Sequence, residues 1–256
     1  MWRKLAGPFR EFGFMAGALY ALDQVLRRLS PNLSVFVYEL MVQPITGKPL
    51  LPDSRSKNFK FAEIGRDHPD IALMPARAEI KQSRFDQGAV CLGVYRKEEL
   101  IGYIWFCFDR YEEDEVRCTY VLAQPENSVF DFDLYIFPQH RMGIGFMAVW
   151  HGANFYLHER GVKYTFSRLT RFNVASRRSH ARLGWKCAAR AVFLKAWHGE
   201  VMLASVFPYI ALTWNPSRRP LLRLKPDVLG HPHGCAFSPL VSSGVEENQA
   251  TEKPTT

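Results

Sequence analysis

Paired cysteines, a membrane-length apolar N-terminus and the common hydrolase signatures are all missing from this sequence. Its five cysteines (Cys91, Cys107, Cys118, Cys187 and Cys235) are odd in number and scattered, with no C-x-x-C pair. That pattern argues against a disulfide framework or a zinc site and favours a reducing compartment. No H-E-x-x-H, G-x-S-x-G or Walker-type loop occurs, so the chemistries tied to those motifs drop out. No metal site is expected. Near the N-terminus, the uncharged stretch Phe12–Leu22 falls far short of the roughly 20 residues a span needs. No small-residue cleavage site follows it, and a cytoplasmic protein is expected.

Acid is the scarcer charge. Against 33 Lys and Arg stand 25 Asp and Glu, a formal net charge of +8. Such an excess suits a phosphate-bearing ligand, nucleic acid or an anionic membrane surface, without choosing among them. Apolar residues are plentiful, at 47% with 14% aromatic, so wholesale disorder is excluded. A length of 256 residues fits one large domain or one domain with an appendage.

Three segments are expected along the chain. Residues 1–58 hold an amphipathic helix, a strand and a linker. The helix, over 12–30, carries the stripe Met15, Leu19, Leu22, Leu26 and Leu29, with Arg27 and Arg28 in its last turn. It reads as packed on the main domain. The alternative is an in-plane helix on the inner face of a membrane, since Trp2, Arg3, Lys4, Phe9 and Arg10 supply interfacial and basic residues. Residues 59–212 form the main domain. A hairpin over 89–108 leads to the charged run RYEEDE, read as a solvated hairpin end, and to strands near 116–122 and 129–137. On the last of these, Asp131, Asp133 and Tyr135 are expected on one face, opposite Phe130, Phe132, Leu134 and Ile136. Residues 213–256 read as a basic, then disordered, tail.

The domain is organised around Phe130–Trp185. There a strand runs through Pro138 into the turn His140-Arg141-Met142-Gly143-Ile144-Gly145 and on into an amphipathic helix. Such a turn points unpaired backbone N–H groups at an anion. A short strand follows, then a second helix that Asn173 or Thr170 can cap and Gly184 ends.

This order of strands and helices, with G-x-G at the helix entry and Asn173-Val174-Ala175-Ser176, His180 and Gly184-Trp185 beyond it, resembles the GCN5-related N-acetyltransferase (GNAT) superfamily over about residues 84–206. The resemblance implies an α/β fold, a mixed and mostly antiparallel sheet flanked by helices. It implies acetyl-coenzyme A as cofactor, held by Tyr135, Ile136, His140, Arg141, Met142, Gly143, Ile144 and Gly145 and by Asn173 and Ser176. His140 stands where the family has Gln or Arg. His180 holds the place of the family's tyrosine and is expected to protonate the leaving thiolate.

Acyl transfer also needs an acceptor for the amine's proton. Asp133 is expected to be catalytic there, and Arg84, Asp131 and Arg168 to line the substrate side. The basic set Arg168, Arg171, Arg177, Arg178 and Arg182 suits the coenzyme's 3′-phosphate or an acyl-carrier protein. With few aromatics interleaved, nucleic acid ranks low. The expected activity is transfer of an acetyl group to a primary amine by direct attack. The alternatives are a longer acyl chain, from acyl-coenzyme A or an acyl-carrier protein at a membrane surface, and a non-catalytic binding module.

Overall fold

The computed structural model describes residues 9, 13–141 and 143–229. Met142 and the stretch from 230 onward lie outside the described residues. Twelve strands form two sheets. β1 (Leu33–Pro44), β2 (Lys60–Ile64), β3 (Val90–Arg96), β4 (Glu99–Cys107), β7 (Ser128–Ile136), β8 (Tyr164–Thr170), β9 (Lys186–Ala196), β10 (Gly199–Ala204) and β11 (Ile210–Thr213) make a nine-stranded sheet in the order β11-β10-β9-β1-β8-β7-β4-β3-β2. All its pairings are antiparallel except β7 with β8. A smaller sheet, β12-β6-β5, joins β5 (Arg110–Glu112), β6 (Thr119–Leu122) and β12 (Leu221–Leu224).

Four helices of at least two turns are described: α1 (Phe14–Leu29), α2 (Ala78–Asp86), α3 (Gly145–Glu159) and α4 (Val174–Arg182). None is long and apolar enough to cross a membrane among the described residues. The large sheet separates two apolar cores. One face packs on α3 through Val129, Phe106, Trp150, Ala153 and Leu157. The other packs on the small sheet through Trp105, Phe130, Phe132, Tyr111, Tyr120 and Leu222. β4 is buried along nearly its whole length, which is why its sequence, LIGYIWFC, is apolar without alternation.

The strand read as preceding the main domain lies inside the sheet. β1 pairs with β8 on one side and β9 on the other. Its burial on both faces explains an almost unbroken apolar run, which a half-exposed appendage would not show. The tail read from 213 onward also departs from the structure. Within it β12 pairs parallel to β6, and Leu222 and Leu224 are buried. With only two inward residues, a four-residue strand gives little periodic signal.

Candidate active site

β7 and β8 run parallel and pair only from Ser128↔Tyr164 to Asp131↔Ser167. Beyond that register β8 continues on β1, and β7 continues on β4. The two strands therefore splay, and the β8-facing backbone edge of residues 132–136 has no strand partner among the described residues. α3 follows β7 and α4 follows β8, so both helices begin at the open end of the splay.

A β-bulge falls where the splay begins. Asp133 and Leu134 together oppose Ile104, between the pairs Trp105↔Phe132 and Tyr103↔Tyr135. Asp133 takes φ 46°, a left-handed conformation for which aspartate is among the more tolerant residues. The extra residue overturns the expected alternation. Phe130 and Phe132 share their core with Tyr135, whereas Leu134 and Ile136 sit with Val129 against α3. Strict period-2 counting fails at a bulge, and nothing in the sequence marks one here.

The two aspartates consequently have different surroundings. Asp131 is 1% exposed. Its carboxylate accepts from Thr165 Oγ1 at 2.5 Å, and its carbonyl accepts from Ser167 Oγ at 3.2 Å. Burial pushes its carboxyl up to about 7, with the hydroxyl bonds opposing. It is an interior group rather than part of a substrate wall. Asp133 pairs with Arg84, and burial raises its carboxyl while Arg84 opposes the shift.

Arg84, on α2, also donates through Nε and Nη2 to Asp114 Oδ2 at 3.1 and 2.8 Å. Its guanidinium lies 5.5 Å from the Trp105 ring and 5.3 Å from Phe132. Arg168, on β8, bonds Glu113 at 2.9 Å and Glu115 at 2.8 Å and lies 4.3 Å over the Tyr38 ring. Tyr38 in turn donates to Glu115 at 2.8 Å.

The acidic run is thus only in part the expected solvated hairpin end: Glu112, Asp114 and Glu115 are exposed, and Glu113 is not. Glu113 is 1% exposed, and Arg219 donates to its carbonyl at 2.9 Å. Three of its carboxylates are gathered by two arginines distant in sequence, a pairing that no local pattern could reveal.

At the splay's open end lies the turn before α3. Gly143 has φ 127° with open space around the position of a Cβ, strained for any L side chain. A Cβ on Gly145 would stand 2.6 Å from the His140 carbonyl oxygen. α3 begins with no side-chain cap and no acid in its first turn, which leaves its N-terminal N–H groups suited to an anion. His140 Nε2 is 3.1 Å from Glu99 Oε1. Arg141 donates through Nε to the Ile136 carbonyl at 2.9 Å and lies 5.2 Å from the Tyr135 ring. Tyr135 itself stacks on Tyr103 at 5.5 Å. Ile144 is the N-cap of α3, its carbonyl accepting from Ala148 N at 2.8 Å.

On the other side, Asn173 caps α4, its Oδ1 accepting from Ser176 N at 3.0 Å. His180, expected as the proton donor, lies in an enclosed, largely aromatic setting. It is 4% exposed, and its ring meets Phe146, Trp150 and Trp185 edge-on at centroid distances of 5.3, 6.0 and 5.2 Å. Nδ1 lies 2.8 Å from the Ser176 carbonyl. Burial pushes the imidazole down to about 4, with the carbonyl bond opposing. A neutral ring so enclosed fixes α4 onto α3 and β9.

The basic set is largely committed as well. Arg171 and Arg177 converge on buried Glu39 of β1, and Arg168 is held by the acidic run.

A large, mostly antiparallel sheet with one splayed parallel pair, flanked by helices, defines a mixed α/β fold. Residues 60–185 match the model of the acetyltransferase (GNAT) family, and the chain carries a domain of that family. No curated protein matches the sequence. Among solved structures, a conserved protein of unknown function from Staphylococcus epidermidis shares 11% identity at a TM-score of 0.46, over 68% of this chain and 66% of that one. A tandem GNAT protein of the clavulanic acid biosynthesis pathway shares 14% at 0.43, over 63% and 53%. A putative GNAT-family acetyltransferase from Novosphingobium aromaticivorans shares 13% at 0.44, over 65% and 69%. The match thus spans less than two thirds of the first two chains.

Proposed function

We propose that this chain transfers an acetyl group from acetyl-coenzyme A to a primary amine by direct attack. The observation that carries the reading is the splay itself. A glycine turn stands at its mouth, and the Arg84–Asp114–Asp133 and Arg168–Glu113–Glu115 cluster lies beside the bulge. The coenzyme supplies an activated thioester. The residues around it suit that group: Gly143 and Gly145 keep side chains out of the turn, and the uncapped start of α3 offers N–H groups to phosphate oxygens.

With Glu112, Arg219 and Lys195 counted beside the cluster, five carboxylates face four cations, a slight negative excess that draws a cationic amine. Asp133 accepts the proton of the bound ammonium. Its burial makes it a stronger base than a solvated carboxylate. The β8-facing backbone edge of 134–136, which has no strand partner among the described residues, offers N–H donors to the developing oxyanion. Asn173, Ser176 and His180 act as positioning residues, through the cap and packing of α4.

Calorimetry with acetyl-coenzyme A, followed by free-thiol release against a panel of amines, tests the reading. Binding by the wild type, abolished in Gly145→Glu, is the expected result. Absence of wild-type binding, or unchanged binding in the variant, overturns it.

A further inference from the structure

α1 is an amphipathic helix docked the wrong way round for water. Its buried positions are Ala16, Gly17 and Asp23; Leu19, Tyr20 and Leu26 are half-buried, with Tyr20 against the Phe172 ring, and five large apolar residues remain exposed. Phe14 is 80% exposed and Leu29 73%, with Met15, Leu22 and Val25 also exposed. Leu22, Val25 and Leu29 follow i, i+3, i+7, and Met15 precedes Leu22 by seven, so these residues share one face. The order is enforced by Asp23. β8 ends opposite Tyr38, which leaves the first residues of β1 without a strand partner on that side among the described residues. Asp23 Oδ1 accepts from Val35 N at 2.8 Å, and Arg27 Nε donates to the same carboxylate at 2.8 Å. A buried carboxylate with two partners fixes the rotation of the helix, and its apolar stripe must then face out.

Further exposed apolar residues lie on the sheet near the end of α1. Trp197 N donates to Asn32 O, just past the end of α1. Trp214 covers Gly199, two residues beyond Trp197. Trp197, Trp214 and Leu212 are all exposed. Exposed apolar residues gathered on neighbouring elements mark an interaction site.

We propose that this rim docks on an anionic phospholipid surface, with α1 lying in the interfacial plane. The charge selects that occupant. The one acid of α1, Asp23, is buried and paired with Arg27, and Arg28 adds a further exposed basic group in the last turn. Arg3, Lys4 and Arg10 precede it in the sequence. Tryptophans and arginines edging an apolar stripe match the headgroup region of a bilayer. A second copy of the chain would bring two +8 molecules and two sets of these arginines together, which is repulsive. The inference is independent of the acetyl-transfer reading.

Flotation of the full chain with vesicles of phosphatidylcholine, alone or mixed with phosphatidylglycerol, tests it. The wild type is expected to float with the mixed vesicles, less with the neutral ones, and less at high salt. Leu22→Glu with Val25→Glu is expected to lower vesicle partitioning on the order of a hundredfold. Both positions are exposed, so the thermal midpoint should hold; Leu29→Ser serves as a second, milder variant and lowers binding in the same direction. A wild type that stays with the protein fraction at both compositions overturns the proposal. So do variants that float as well as the wild type. A dimer in sedimentation equilibrium that these variants dissociate, without vesicle binding by the wild type, assigns the stripe to a second copy instead.

Discussion

Arg168 and Glu113 form a buried ion pair, Nη2 to Oε1 at 2.9 Å, between the end of β8 and the loop after β5. It ties the acidic loop to the splayed strand. Breaking such a pair leaves a charge in the interior without its partner, at a typical cost of about 3–5 kcal/mol. Glu115 still holds Arg168 at 2.8 Å, so Glu113→Ala is expected to lower the chemical-denaturation free energy by less, about 1–3 kcal/mol. Glu113→Gln, which keeps an acceptor for Arg168, should lose less. A Glu113→Ala variant as stable as the wild type would show that the pair does not hold the loop.

Asp131 gives a pH signature of opposite sign to that of most acids. Its folded-state carboxyl is pushed up to about 7, above the roughly 3.9 of an unfolded chain. The native state therefore holds a proton that the unfolded state releases. Stability from this group is fully present at low pH and declines as pH rises through 4 to 7. Asp131→Asn removes the decline. Relative to wild type the variant should gain on the order of 2 kcal/mol between pH 5 and pH 8, read from denaturant midpoints at both pH values.

His180 acts in the other direction. Its imidazole is pushed down to about 4, below the 6.5 of a free histidine, so the neutral ring is what the fold favours. Its contribution is full above 6.5 and is lost as pH falls towards 4. His180→Phe keeps the aromatic edges against Phe146, Trp150 and Trp185 and should flatten that acid limb. If His180 only positions α4, thiol release by His180→Phe stays within about tenfold of wild type. The loss expected for a removed general acid is about 10² to 10⁴.

Gly145 sits 2.6 Å, at its notional Cβ, from the His140 carbonyl. Gly145→Ala must displace backbone, so the turn opens and acetyl-coenzyme A affinity is expected to fall by at least about tenfold, near 1.4 kcal/mol. Gly143→Ala meets no atom but is strained at φ 127°, and should cost about 1 kcal/mol or more in stability. Calorimetry and thermal melts on the two variants separate the effects.

Much of this was readable from the sequence. The hairpin of β3 and β4 and the strand–turn–helix at Pro138–Gly145 were set by apolar runs and glycines. The cap at Asn173 and the stop at Gly184 were set by local hydrogen bonding and backbone freedom. These are short-range effects, and the residues carrying them lie side by side in the chain.

Tertiary structure decided the rest. Where β1 goes depends on which strands accept it, and its place between β8 and β9 follows from burial on both faces. The bulge at Asp133 depends on pairing with β4, and it alone separates Asp131 from Asp133. The partners of Arg84 and Arg168 come from loops 30 to 55 residues away. The outward stripe of α1 depends on tertiary contacts of its opposite face, chief among them the hydrogen bond from Val35 N to Asp23. Periodicity records that a helix has an apolar face; only the contacts of the opposite face settle which way that stripe points.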